Sequence, residues 1–585
     1  MCYVADVGFL KPNMPRIDVA EWHTRPRSER IKPMARHIAE HGMGNPDVFF
    51  LLYTVKIALY ILGGLCFALA TAGIDGWGSI GAWWSEPIVF EKVVLWSLLF
   101  EVLGLGCGFG PLTGKIAPPM GSPLYWLRPG TIRLAPWPNR IRFTGGDERT
   151  IFDVVLYAAL LAAAVYALLS DGAGPIAELG TSIGLIPPEH IAPVLATLAV
   201  IGLRDKVIFL ATRGEVYGSL TVTFLFAGPN MVVAAKLVML AIWIGAATSK
   251  LNRHFPFVVA TMMANNPLVR AKWMKRTFFR KFPDDLRPGR IAQFLAHFGT
   301  VVEMGVPLVL FFSHGGVVTY VAAFVMIVFH LVILTAIPLG VPLEWNVFML
   351  FGICSLFVDK SAIGLADVTE PLPIAALLAV IYATILIGNF YPTKVSFLPG
   401  MRYYAGNWDT SQWFFTEAAS QKLADHRIGL GLVQHKQIEK LSTPEGTALS
   451  LGLGHAFRAM YAHGRGLMTL WDHVIPPGRE ADYTVIDGEP VAGYAVGWSF
   501  GDGHLHNEQL ITALQRRCHF EPEELRVLIL DGQAIHHRWQ QYRIVDAAAG
   551  ELERGTFRVA DVASRQPWEH DVPITVISKG SADQR

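Results

Sequence analysis

IAQFLAHFGTVVEMGVPLVLFFSHGGVVTYVAAFVMIVFHLVILTAIPL, residues 291–339, decides the fold class. It holds two apolar runs, 291–313 and 317–339, and Glu303 is the sole Asp, Glu, Lys or Arg in it. A helix that crosses a bilayer needs about 20 consecutive, mostly apolar residues. Each run supplies them, and a soluble core has no use for so continuous a stretch. Comparable runs recur over 48–72, 90–110, 152–170, 183–203, 231–249, 342–358 and 371–390. Hydrophobic residues make up 52% of the chain and charged residues 17%, below the charge content usual in soluble domains.

The charges between the runs set an orientation. Seven Lys/Arg lie in residues 1–47, six in 111–150 and ten in 250–290. Segments 71–87 and 171–182 have none, and 359–370 has only Lys360. Basic loops stay in the cytoplasm. For the ten-charge loop to do so, residues 207–227 must cross as well, despite Arg213 and Glu215; a re-entrant loop is the rival reading. The expectation is an all-α polytopic helix bundle of about ten spans, multi-pass in the cell membrane with both termini cytoplasmic. Its parts are a cytoplasmic N-terminal segment 1–47, a transmembrane bundle 48–390, an aromatic interfacial segment 391–417 and a cytoplasmic α+β domain 418–585. In that domain 418–471 reads as mostly helical, 483–486, 491–498 and 525–530 as strands, and 507–518 as a helix. Residues 542–545 and 556–559 read as a hairpin around Gly550.

Several function classes are disfavoured at this stage. A net charge of +1 argues against nucleic acid as a partner. The five cysteines are scattered without a CxxC pair, which gives neither a disulfide framework nor a thiolate metal site. The N-terminus is polar and basic, unlike a secretory signal. The glycines of 104–110 followed by Gly114-Lys115 lack the spacing and the Ser/Thr of a phosphate loop, and suit close helix packing better.

Ionisable groups at membrane depth are the first candidates for chemistry, because each costs about 2.5–3.5 kcal/mol at a helix centre. Glu101, Glu303 and His330 fall mid-span, while Lys56, Lys236 and His297 lie nearer span ends. Lys250 closes the fifth span behind the small residues Gly245, Ala246, Ala247 and Ser249, which admit a neighbouring helix. A lysine in such a crowded place can lose its proton and act as a base. The competing reading is structural: these groups neutralise one another and fix the packing. In the C-terminal domain, which holds eleven of the nineteen histidines, His504 and His506 alternate as on a strand and could share a metal with Asp502 or Glu508. Asn507 reads equally well as the start of a helix.

KLVMLAIWIGAATSKLN (236–252), FLAHFGTVVEMGVPLVLFF (294–312) and FVMIVFHLVILTAIPLG (324–340) resemble, in order and spacing, helices of the vitamin K-dependent γ-carboxylase and HTTM-like membrane superfamily. The resemblance implies that Lys250 is a catalytic base and that Glu303 and His330 are membrane-embedded polar positions. Arg253-His254-Phe255 replaces the superfamily's Asp-Trp. Over its whole length the chain more closely resembles an uncharacterised actinobacterial-type transmembrane family, through residues 122–150, FLPGMRYYAGNW (397–408) and GWSFGDGHLHNEQL (497–510). That likeness supplies architecture and no reaction or cofactor. The functional expectation is an enzyme acting on a lipid or quinone-type ligand through Lys250, Glu303, His330 and Glu101. The alternative is a transport or scaffold component that docks a partner through its C-terminal domain.

Overall fold

The computed structural model describes residues 9–108, 121–138, 140–336 and 343–580. The glycine-rich run from Phe109 onward and the end of the span expected over 317–339 lie outside them. The bundle is built from α1 (Arg27–His41), α2 (Asp47–Leu69), α3 (Pro87–Val102), α4 (Ile151–Leu168), α5 (Pro188–Arg204), α6 (Pro229–Ser249), α7 (Phe255–Asn265), α8 (Arg290–Phe312), α9 (Gly316–Ala336), α10 (Leu343–Gly352) and α11 (Pro371–Phe390). Their limits follow from local chemistry. Pro229 and Pro371 open α6 and α11, where a missing N–H costs nothing. Thr150 and Asp153 form a reciprocal capping box on α4. Between α8 and α9 the chain reverses through His314, Gly315 and Gly316, all at positive φ, and the Thr319 hydroxyl accepts the Gly315 N–H at 2.9 Å.

Six of these helices, α2, α4, α6, α8, α9 and α11, are long and apolar enough to cross a membrane. The ten expected spans therefore reduce to six by length and composition. The other four segments are short or broken. Helix α3 has 16 residues and α5 has 17; at about 1.5 Å per residue they reach roughly 24–26 Å, less than the hydrocarbon core. Residues 206–223 break at Arg213, which sits at φ 52° ahead of a widened turn, Gly214–Gly218. Helix α10 runs into a second widened turn, Ile353–Asp359. Helix α6 is the core of the bundle: 83% of its apolar window is buried, against 22–39% for the other five.

After α11 comes an irregular aromatic segment in which Met401 and Tyr404 both take positive φ, uncommon for bulky side chains. The C-terminal region then forms α12 (Pro444–Met460), α13 (Ala462–Val474), α14 (Gly488–Val496) and α15 (Glu508–Cys518) around one antiparallel sheet. Its strands are β1 (Thr410–Phe415), β2 (Thr484–Asp487), β3 (Leu525–Leu530), β4 (Trp539–Asp546), β5 (Gly550–Arg558) and β6 (Ile574–Lys579), in the order β2-β1-β3-β4-β5-β6. Trp413 stands opposite Ile486 on one side and Val527 on the other. All six residues of β1 are buried, so the sheet begins inside the segment expected to be interfacial. Residues 491–498, expected as a strand, lie mostly in α14, which ends at Gly497 with φ 86°. Every residue of 491–498 is buried, so the run carries no polar face from which a period could be read.

The three basic segments all pack on this C-terminal region. Arg27 Nη1 donates to the Met468 carbonyl at 2.8 Å. The Tyr125 hydroxyl and Trp126 indole donate to the Tyr494 and Val496 carbonyls at 2.6 and 2.9 Å. Leu286 N–H donates to Gln566 at 2.9 Å. Two buried histidines add further ties: His254 Nε2 meets Gln533 Oε1 at 2.9 Å and His463 Nδ1 meets the Gly406 carbonyl at 2.7 Å.

Burial lowers the pKa of His254 to about 4 and holds His463 well below its ordinary value. Both favour the neutral ring in the folded state, so their stabilising effect is complete above about pH 6.5 and is lost as the pH falls, for His254 toward about 4. Melting curves of the detergent-solubilised protein should show stability falling by about 1.4 kcal/mol per pH unit from His254 across that window, with His463 adding to the loss in the same direction. His254→Asn should flatten the slope, and an unchanged slope would mean another group sets it.

Candidate functional site

Lys250 directly follows α6, where the backbone begins to turn out of the helix. The small residues before it matter: a Cβ on Gly245 would stand 3.0 Å from Met401 Cβ and 3.2 Å from Ile385 Cδ1. This close approach brings α11 and the aromatic segment against α6. From there Lys250 Nζ reaches Glu303 Oε2 on α8 at 2.5 Å, with both side chains nearly buried. Its ammonium also lies 5.6 Å from the Phe255 ring centre. Pro307, one turn after Glu303, removes the N–H that would satisfy the Glu303 carbonyl within the helix.

His330 comes from α9 and is fixed at both nitrogens. The Trp243 indole, which can only donate, gives its proton to Nε2 at 3.0 Å. Nδ1 therefore carries the ring proton and gives it to Asn346 Oδ1 at 2.9 Å. Lys250, Glu303 and His330 line one cavity of about 490 Å³. The rest of its wall is largely apolar, and Phe298, Phe324, Val328 and Val332 at its rim are exposed on the outer surface of α8 and α9. The cavity thus opens where the bundle would meet lipid.

The fourth expected residue, Glu101, lies elsewhere. It accepts the Cys107 N–H at 2.8 Å, with its other oxygen unpartnered among the described residues. The Cys107 thiol donates to Glu344 at 3.0 Å and receives Arg213 Nη1 at 3.1 Å. Lys56 pairs with Glu344 at 2.9 Å and donates to the Gly106 carbonyl at 2.7 Å. Arg213 Nε holds Glu215 at 2.7 Å, and the Tyr403 hydroxyl donates to the same Glu215 oxygen at 3.2 Å. The Arg213 guanidinium sits 4.3 Å from the Trp345 ring centre and 5.1 Å from that of Phe500. All these charged groups are buried. Trp345 and Tyr403 also line the Lys250 cavity, so the two clusters share a wall.

Among the described residues Glu101, Cys107 and Glu344 bring three ligand atoms within 4.8 Å of one another. The positive charge such a group calls for is supplied by Lys56 and Arg213. His504 and His506, the expected metal pair, do not belong to it. His504 Nε2 meets the Pro392 carbonyl at 2.9 Å, and His506 Nδ1 meets Ser411 at 2.7 Å. Lys236 caps the far loop, donating to the Lys360 and Ile363 carbonyls, and His297 is exposed.

A family of transmembrane proteins of unknown function, DUF3556, matches residues 7–577. The chain belongs to the DUF3556 family. No curated protein and no solved structure matches it. The resemblance to an uncharacterised membrane family is thereby shown, while the likeness to the γ-carboxylase and HTTM-like superfamily gains no support from these matches. What DUF3556 membership contributes is a membrane protein; the chemistry must come from the side chains.

Glu344 and Cys107 were not legible as site residues. Glu344 heads an apolar run and Cys107 looked isolated; only the fold brings Lys56, Arg213 and Glu101 to them. Removing one partner of a buried pair leaves an uncompensated charge. Glu344→Ala should therefore cost about 3–5 kcal/mol of stability. Lys56→Met combined with Glu344→Leu should recover most of that loss, as read by melting temperature in detergent. Additive losses in the double variant would show that the two side chains do not act as a pair.

Proposed function

We propose that the protein is an integral membrane enzyme acting on a lipid or quinone-type substrate that enters the Lys250–Glu303–His330 cavity from the bilayer. One observation carries this reading: a short Lys–Glu pair faces an otherwise largely apolar cavity whose rim is exposed apolar surface. An ammonium and a carboxylate at 2.5 Å can exchange the proton between them, which removes the cost of holding two charges in an apolar wall. The pair can thus present either a carboxylate or a free amine to a bound molecule, the requirement for general acid–base work. His330, held by Trp243 and Asn346, lines the same cavity with a fixed ring. A fixed ring at a bilayer-facing cavity suits orientation of a flat or elongated apolar ligand.

The same reading places the protein in the cell membrane with ten crossings, three of the short ones largely enclosed by protein while α5 keeps an exposed face. Contacts at the ends of the short segments support it. Arg204, at the end of α5, meets Asp153, at the start of α4, at 2.6 Å, and the basic loop's Arg133 donates to the Arg204 carbonyl. At the opposite end of the bundle Asn230, at the start of α6, binds Thr369, just before α11, and Lys236 binds the Lys360 carbonyl. Irregular backbone at membrane depth is tolerated where it is buried in protein, as most of residues 206–223 and of 353–357 are. The basic loops then lie in the cytoplasm. Reporter fusions after Arg290 and after Arg585 should both read cytoplasmic, and an external reading from either would remove this topology.

Lipids co-purifying with the wild-type protein should be enriched, by mass spectrometry, in one apolar lipid or quinone class. Glu303→Gln keeps shape and removes the acid. It should slow conversion of that class by about 100-fold or more while shifting the melting temperature little. Absence of any enriched class, or full turnover in the variant, would sink the enzymatic reading and leave a transport or scaffold role.

A further inference from the structure

A second and larger cavity, about 680 Å³, lies between the N-terminal segment, the start of α2 and the C-terminal region. Leu10 and Leu441, both largely exposed, mark its mouth. Val48 and Phe49 place that mouth at the first turn of a membrane helix, the depth of lipid head groups. Met262 and Tyr404 line both this chamber and the Lys250 cavity, so the two adjoin.

The inner end of the chamber is polar, and its polarity has a sign. Arg458 is occupied: Nε and Nη2 bind the same Asp487 oxygen at 3.1 and 3.0 Å. No free cation is thus offered by it to an anionic ligand. The Ser411 hydroxyl has one proton and gives it to the His506 carbonyl at 3.1 Å. The 2.7 Å contact between Ser411 and His506 Nδ1 must then be donated by the ring. That leaves His506 Nε2 a bare acceptor in a residue only 1% exposed, unpartnered among the described residues and on the chamber wall. Burial pushes the Glu489 carboxyl up to about 8, against the pull of Arg458. At neutral pH the floor therefore carries no net charge from Arg458, Asp487 and Glu489. Around it stand the rings of Tyr404, Trp408, Tyr461 and Phe500. Tyr404 and Phe500 meet edge to face at 6.0 Å, and so do Trp408 and Tyr461 at 6.2 Å.

We infer that this chamber binds the uncharged, hydroxyl-rich head of an amphipathic molecule, whose apolar part leaves along Leu10, Val48 and Phe49. A buried acceptor with no partner is satisfied only by a donor. Hydroxyls donate without bringing charge, aromatic faces accept the C–H surface of a polyol ring, and the exit at head-group depth suits a tail. A phosphate would meet a neutralised arginine and a lone pair, and an ammonium would meet a floor without net negative charge. The inference stands apart from the reaction assigned to the Lys250 cavity.

The test uses the full-length protein in phosphatidylcholine nanodiscs with radiolabelled octyl β-glucoside, empty nanodiscs being subtracted. Binding should saturate at one site, and neither octyl phosphate nor octylamine should displace it. His506→Leu and Glu489→Leu should each weaken it about tenfold or more, the effect of one lost hydrogen bond to a buried group. His506→Gln, which keeps an acceptor, should stay within about threefold. Displacement by octyl phosphate or octylamine would overturn the assignment, as would unchanged affinity in both leucine variants with normal melting curves. Equal displacement by free glucose would refute the amphipathic part. If His506→Leu does not fold, Glu489→Leu and the competition series decide. Glu303→Gln should leave glucoside binding as it is, so failure of the enzymatic reading and failure of this one are told apart.

Discussion

The structure depends on how a handful of charges are satisfied where no water is available to do it. Arg213 is the clearest case. Its backbone turns left-handed and breaks a helix. Its side chain binds Glu215 and Cys107 and lies among the rings of Trp345, Tyr403 and Phe500. Those partners come from the broken segment, the turn after α3, helix α10, the aromatic segment and the C-terminal region. A buried guanidinium left without them would carry a desolvation cost of several kcal/mol. Its satisfaction therefore holds five parts of the chain in one arrangement.

The aromatic segment 397–408 gains its importance from the same place. Tyr403 serves the Arg213 cluster and lines the Lys250 cavity, and Tyr404, next to it, lines both cavities. Consecutive residues on an extended or turning backbone point in different directions, so one dipeptide can wall two spaces. The positive φ of Met401 and Tyr404 is kept by surroundings that over-determine it. Gly388 and Gly400 allow the segment to lie on α11: a Cβ on Gly388 would come within 2.8 Å of Gly400 Cα.

Much of the bundle was legible because lipid leaves so few solutions. Long apolar runs marked α2, α4, α6, α8, α9 and α11, and the lone ionisable groups within them marked Lys250, Glu303 and His330, which the fold brings to one cavity. What was less legible has equally physical causes. Helix α3 and most of residues 206–223 are surrounded by protein, and hydropathy does not distinguish protein from lipid around a segment. Residues 491–498 are buried on every side, so their period was silent. Strand β1 was hidden in an aromatic stretch that reads as membrane interface, because Trp413, Phe414 and Phe415 suit either setting.

The sequence by itself determined a multi-span membrane protein with a mixed C-terminal region, three basic segments (which in the fold pack on that region), and a Lys/Glu/His set on or next to helices apolar and long enough to cross a membrane. These follow from transfer energies and charge, which belong to single segments. Only the tertiary structure decided that Glu101 serves a different cluster from Glu303, that Glu344 answers Lys56, and that His506, on the wall of a chamber, keeps a buried Nε2 without a partner among the described residues. Each of these depends on which partner takes a given proton or charge. That partner is chosen by distance in space, between residues far apart in the chain.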